Sequence, residues 1–111
     1  MLNEAKKALR VTNPRYFSEI MDLCKAGARD LEIAGVIIPG RVTYTVGTDD
    51  SVTDTSSLKD PLVVRAVLTY ARAHFGSPAD YDRLVEAYET QKVQLMHASQ
   101  YTTYGGGEDE C

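Results

Sequence analysis

The sequence predicts a mainly α protein: a small bundle of about four helices, with a β-hairpin or extended arm inserted between the second and third, and a flexible C-terminal tail. Three observations carry that expectation. Four stretches space their apolar residues for helices, the run 36–57 between two of them is rich in β-branched and turn-forming residues, and residues 99–111 carry three glycines and a charged end. With 111 residues and a 43% apolar fraction, the chain has the size of one helical domain, 1–98, followed by the tail 99–111. A chain this long buries roughly two-thirds of its unfolded surface, enough for one core with little left for a deep cleft. A ligand site is therefore expected between subunits.

Leu2, Ala5 and Leu9 share one helical face, and Lys6, Lys7 and Arg10 occupy the rest of that surface, which predicts a short leading helix. Asn13 is the expected N-cap of the second helix, with Pro14 at its first position, where a missing N–H is harmless. Phe17, Ile20, Met21, Cys24, Ala28 and Leu31 form its apolar stripe, and Glu19, Asp22, Arg29 and Glu32 lie mainly away from it. Gly35 is the stop. From Val36 to Ser57, "VIIPGRVTYTVGTDDSVTDTSS" places Gly47 to Asp50 as turn residues between two short alternating runs. An isolated two-stranded ribbon is marginal in water, so it must pack on the helices or on a neighbour.

The stretch "DPLVVRAVLTYARAHFG" has Asp60 as cap, Pro61 at the first helical position and Gly76 as stop. It is apolar almost all round. Arg65, Thr69 and Arg72 form its one polar strip, which suits a helix at the centre of a bundle or between subunits. In the last helix Ser77 is the expected cap, Pro78 the first residue and Asp80 a carboxylate returning toward the cap. Tyr81, Leu84, Val85, Tyr88 and Leu95 form its apolar face, and it should run antiparallel to the helix before it.

The composition offers no enzyme chemistry. His74 and His97 end separate helices without partners at zinc spacing, so no metal site is expected. "YGGGEDE" follows no strand and opens no helix, which excludes a phosphate loop, so no cofactor is expected. Asp49, Asp50 and Asp54 lack the spacing of a calcium loop and read as solvated turn carboxylates. The serines and threonines between Thr43 and Ser57 have no positioned base. Cys24 reads as a core residue and Cys111 as part of the tail, with no disulfide between them. No apolar run spans a membrane and the opening residues lack a signal-peptide centre, so synthesis in the cytoplasm is expected. A net charge of -4 disfavours tight, sequence-independent DNA binding but suits a conduit that surrounds DNA without gripping it.

Arg65 and Arg72 leave two readings open: a solvated strip, including pairs with Asp82 or Glu86, or a subunit boundary, where arginine is enriched over lysine. Tyr101 and Tyr104, on a tail with no core to fill, read as interface anchors.

The segments "EAKKALRVTNPRYFSEIMDLCKAGARDLEIAGV", "DPLVVRAVLTYARAHFG" and "YDRLVEAYETQKVQLMHASQY", in that order and spacing, resemble the small head-tail connector, or adaptor, proteins of tailed bacteriophages. Asp-Pro opening an apolar helix, a break at Phe75-Gly76 and a final helix ending in "LMHASQY" carry most of the likeness. The resemblance implies a helical bundle that assembles into a ring, about twelve-fold by the family's habit, through a head-to-tail interface. It also implies a place in the virion beneath the portal protein, with a tail or stopper protein on the other side and DNA passing through. In that setting the region Arg41 to Thr55, with Arg41 and Tyr44, is a candidate inter-subunit or stopper-facing arm beside Arg65 and Arg72, and the tail with Tyr101 and Tyr104 is a candidate portal-docking arm. The alternative is a small helical DNA-binding or packaging accessory protein, which needs a basic face from Arg65 with Arg72 or from Lys6, Lys7 and Arg10.

Overall fold

The computed structural model describes residues 1–76 and 78–98. The expected cap Ser77 and the tail positions Tyr101, Tyr104 and Cys111 lie outside them. The described residues form four helices, α1 (Leu2–Leu9), α2 (Phe17–Ile33), α3 (Pro61–His74) and α4 (Tyr81–His97). Between α2 and α3 lies an antiparallel ribbon of β1 (Tyr44–Val46) and β2 (Val52–Asp54), in register Tyr44 to Asp54 and Val46 to Val52. This is the mainly α architecture with an inserted hairpin that the residue pattern predicts.

Local chemistry accounts for most of the helix ends. The Asn13 side chain accepts the Arg15 N–H at 3.0 Å, but Pro14–Tyr16 form a 3₁₀ turn and regular α-helix begins only at Phe17. At the far end of α2, Val36 N–H donates to the Leu31 carbonyl and Gly35 N–H to that of Glu32, both at 3.0 Å, with Gly35 at φ 103°. That is a Schellman closure, and glycine provides the left-handed residue it requires. The first helix closes by the same two bonds, Val11 to Lys6 and Arg10 to Lys7, yet here an arginine holds the left-handed position at φ 57°. The carboxylate of Asp60 accepts the N–H groups of Leu62 and Val63 at 3.0 and 3.3 Å, and Pro61 takes the first position of α3. In α4 the expected start is corrected. The helix opens at Tyr81 rather than Pro78, and Asp80, its N-cap residue, turns its carboxylate to the Arg83 guanidinium and not to the backbone. The ion pair one turn ahead competes with the cap for the same oxygens.

The core sits where α3 meets its neighbours. Val63, Ala66, Val67 and Ala71 of α3 pack with Ile20, Met21, Cys24 and Leu31 of α2, and with Tyr88 and Leu95 of α4. Leu2 and Ala5 of α1 close a third side. Flanked in this way, α3 has little room for the predicted polar strip: Thr69 is 8% exposed and donates its hydroxyl to the Arg65 carbonyl at 2.9 Å. The strip therefore reduces to Arg65 and Arg72, both exposed. Tyr81, expected on the apolar face of α4, is 44% exposed and packs on His74.

Two glycines are set by close approach. A Cβ at Gly27 would meet Tyr70 ring atoms at 3.0–3.1 Å, so the Tyr70 side chain of α3 lies directly on the α2 backbone there. Gly40 has φ 129°, and a Cβ on it would lie 2.7 Å from the Leu58 Cα. Substituting Gly40→Ala should thus destabilise the fold by about 1 to 3 kcal/mol through overpacking and backbone strain. Arg10→Gly, which relieves a left-handed arginine, should stabilise by about 1 kcal/mol. Urea unfolding of the two variants beside the parent checks both signs, and a stabilised Gly40→Ala or a destabilised Arg10→Gly would contradict this account.

Candidate functional site

Among the described residues, no group of three His, Cys, Asp or Glu side chains is placed to hold a metal ion, and no helix is long and apolar enough to cross a membrane. Charged, aromatic and exposed apolar side chains gather in three regions of the surface.

The first is the end of the bundle where α1 and α3 stop and α4 starts. Arg10 lines three adjoining hollows there. One, of about 240 Å³, is shared with Arg72, Leu9, Phe75 and Leu84. A second is shared with Val11, Tyr16, Glu19 and Phe75, and a third with Lys6 and Lys7. Tyr16 meets Phe75 edge to face at 5.8 Å between ring centres, so an aromatic pair stands among the cations. The two basic sets that are far apart in sequence, Lys6, Lys7 and Arg10 on α1 and Arg72 on α3, come together here. Arg65, two turns earlier on α3, lies outside the hollow that holds Arg72. Among the described residues neither Arg65 nor Arg72 forms an ion pair, so the pairing with Asp82 or Glu86 is not realised.

The second region is a groove of about 340 Å³ between α2 and residues 38–43, lined by Lys25, Ala28, Arg29, Ile38, Arg41 and Val42 among others. Glu32 shares the rim and pairs with Arg29 at 3.5 Å. Arg41 is exposed. Tyr44 is half-buried, packs on the core, and has the Lys25 ammonium 5.7 Å from its ring centre. Of the four predicted interface residues, then, Arg72 belongs to the first region and Arg41 to the second. Tyr44 stands beside the second, and Arg65 stands apart.

The third region is the opposite end of the bundle. Tyr70 of α3 packs edge to face on Tyr88 of α4, His74 packs on Tyr81, and Tyr16 and Gly27 lie against Phe75 and Tyr70. These pairs make α3 antiparallel to both α2 and α4. The C-terminal ends of α2 and α4 therefore meet the start of α3, where Ile33 (72% exposed), Leu62 (53%), Val93 (46%) and Met96 (40%) face solvent.

Polar ties hold these regions in place. Asp54, which reads in the sequence as a solvated turn carboxylate, accepts the Leu2 N–H at 2.8 Å and the Met1 amino group at 2.9 Å through one oxygen, and the Ser56 N–H at 2.9 Å through the other. Burial opposes its ionisation, but these donors outweigh burial and hold the carboxyl well below the usual range. The ribbon is thereby fastened to α1. No local pattern points to this, because Leu2 and Asp54 are 52 residues apart. Asp49 is the turn carboxylate expected, accepting the Ser51 N–H at 3.1 Å. Between α2 and α4, Tyr88 donates its hydroxyl to Asp30 at 2.5 Å and Lys92 reaches the same oxygen at 3.2 Å. Burial first, and then the Asp30 carboxylate, push the Tyr88 phenol up. Cys24 is buried, and burial raises its thiol to about 12.

No protein-family model, curated protein or solved structure matches the chain.

Two outcomes follow from these environments. Asp54→Asn should destabilise by about 1 to 3 kcal/mol, because donors aimed at a carboxylate lose their charged partner. Since the folded carboxyl titrates below its unfolded value of about 3.9, its contribution is present above that pH and is lost as the pH falls toward the folded value. Acid unfolding followed by circular dichroism should show the parent falling toward the variant in that window, and parallel curves would refute the assignment. In a Cys111→Ser background, Cys24 should react with a thiol reagent at pH 7 at least about a thousandfold more slowly than a free thiol. Prompt labelling of the folded protein would refute its placement in the core.

Proposed function

We propose that this chain is a structural assembly protein, a subunit that joins copies of itself head to tail in a closed ring connecting a phage head to its tail. The observation that carries this reading is the unlikeness of the two ends of the bundle. Exposed Ile33, Leu62, Val93 and Met96 occupy one end, while Arg10 and Arg72 with the Tyr16–Phe75 pair occupy the other. A two-fold dimer needs one patch that matches itself, whereas a head-to-tail ring needs two different patches. Arginine and aromatic side chains are also the residues that interface centres favour.

The residues resembling the connector family support the specific place: a ring beneath the portal protein in the virion, about twelve-fold, with a tail or stopper protein below and DNA passing through. The ribbon gives the arm its shape. Asp54 ties its base to α1, and its tip at Gly47–Ser51 is exposed. Tyr101 and Tyr104 are the proposed portal contact.

A second reading, DNA binding, is favoured by one observation, the gathering of Lys6, Lys7, Arg10 and Arg72 at a single end. Phosphate contacts made there would appear as a steep dependence of affinity on salt.

Sedimentation velocity across protein concentrations, alone and with the portal of the same genome, tests the ring. A large closed oligomer or co-sedimentation is expected, and Leu62→Asp should weaken association at least about tenfold while leaving the fold intact, since Leu62 is half exposed. A monomer that ignores the portal at every concentration would overturn the ring. A gel shift whose salt slope falls by about 2 on replacing Arg10 and Arg72 with alanine would then establish the second reading.

A further inference from the structure

The groove between α2 and residues 38–43 belongs to neither end of the bundle. Its floor is apolar, with Ala28 and Val42 buried and Ile38 partly so. Its rim is basic, with Lys25 and Arg29 from successive turns of α2 and Arg41 from the facing segment. Glu32 is the rim's one carboxylate and is already engaged by Arg29. Among the described residues Lys25 and Arg41 have no carboxylate partner. In a chain of net charge -4, three cations against the one carboxylate of Glu32 leave the trough a local excess of positive charge, which favours an anionic occupant. The apolar floor suits a peptide better than a lone anion, which would leave that floor wet.

The facing segment is rigid on its far side. Arg41 N–H donates to the Ser57 hydroxyl and Thr43 N–H to that of Ser56, while the Ser57 and Thr55 N–H groups donate back to the carbonyls of Arg41 and Thr43. The trough wall is thus preformed, which lowers the ordering cost of binding an extended segment.

The chain carries a matching anion. Glu108, Asp109 and Glu110 are its one run of three consecutive acidic residues. They follow α4, which ends at the same end of the bundle as α2, and ten residues of extended chain from Ala98 reach about 33 Å. Three glycines, Gly105 to Gly107, separate this triplet from Tyr101 and Tyr104, so the two parts of the tail can serve different contacts.

We propose that the groove lined by Lys25, Arg29 and Arg41 is the docking site of the acidic segment Glu108–Glu110 of this chain. The opposite charges select the segment, and the floor receives the apolar parts of its side chains.

Zero-length carbodiimide cross-linking of the full-length protein, read by mass spectrometry on an equal mixture of ¹⁴N- and ¹⁵N-labelled chains, tests this. Lys25 should be the principal partner of residues 108–110, ahead of Lys6, Lys7, Lys59 and Lys92. The double variant Arg29→Glu, Arg41→Glu changes exposed side chains and should keep the parent's circular dichroism while reducing the Lys25 cross-link about tenfold. Cross-links spread over the lysines without preference for Lys25, or a Lys25 cross-link unchanged by the double variant, would overturn the proposal. Either isotope pattern of a Lys25 cross-link supports docking, and mixed-label pairs place it between copies. The proposal does not rest on the ring: same-label Lys25 cross-links in a protein that sediments as a monomer would remove the ring and leave the docking site.

Discussion

The contact between Gly27 of α2 and the ring of Tyr70 on α3 sets the arrangement of the bundle. A side chain at residue 27 would meet that ring at 3.0–3.1 Å, so two helix backbones approach as closely as an intervening aromatic ring allows. The same ring packs edge to face on Tyr88 of α4 at 5.3 Å, and the Tyr88 hydroxyl returns to Asp30, three residues beyond Gly27. Three helices are thereby joined around one aromatic pair. Such pairs contribute roughly 0.5 to 1.5 kcal/mol beyond the area they bury, and the hydroxyl turns an otherwise greasy contact into an oriented one.

Around that centre the remaining pieces attach through single, well-defined ties. The first helix supplies Leu2 and Ala5 to the core, and its opening backbone binds Asp54. A ribbon of three residues a side could not persist alone. Here Tyr44 and Val52 pack against the core while Asp54 clamps the base. The clamp and this packing hold the ribbon against the helices, with its turn at Asp49–Ser51 beside Pro14, Arg15 and Ser18.

The energetics of the surface differ from those of the core. Arg10 occupies a backbone position that glycine would fill with less strain, and it does so where three hollows adjoin. Local strain of this kind commonly accompanies a site where a side chain has a task. The exposed apolar residues at the other end likewise contribute little to the fold while exposed and become useful when covered.

What the sequence determined by itself was local. Gly35, Asp60 with Pro61, and the turn at Gly47–Asp50 act within a few residues of themselves, so their roles and the mainly α architecture with a hairpin were legible from spacing alone. The stripes of α2 and α3 were legible for the same reason, since burial of one face follows helical period. The tertiary structure decided what depends on a distant partner. Thr69 is buried because α3 is flanked on several sides, the Tyr88 hydroxyl finds Asp30 58 residues away, and Asp54 finds the Leu2 N–H 52 residues away. Arg72 joined Arg10, and Arg41 joined Lys25 and Arg29 across a groove, through packing alone. A contact between residues far apart in the chain leaves no periodicity, because the intervening chain bears no relation to the distance it spans.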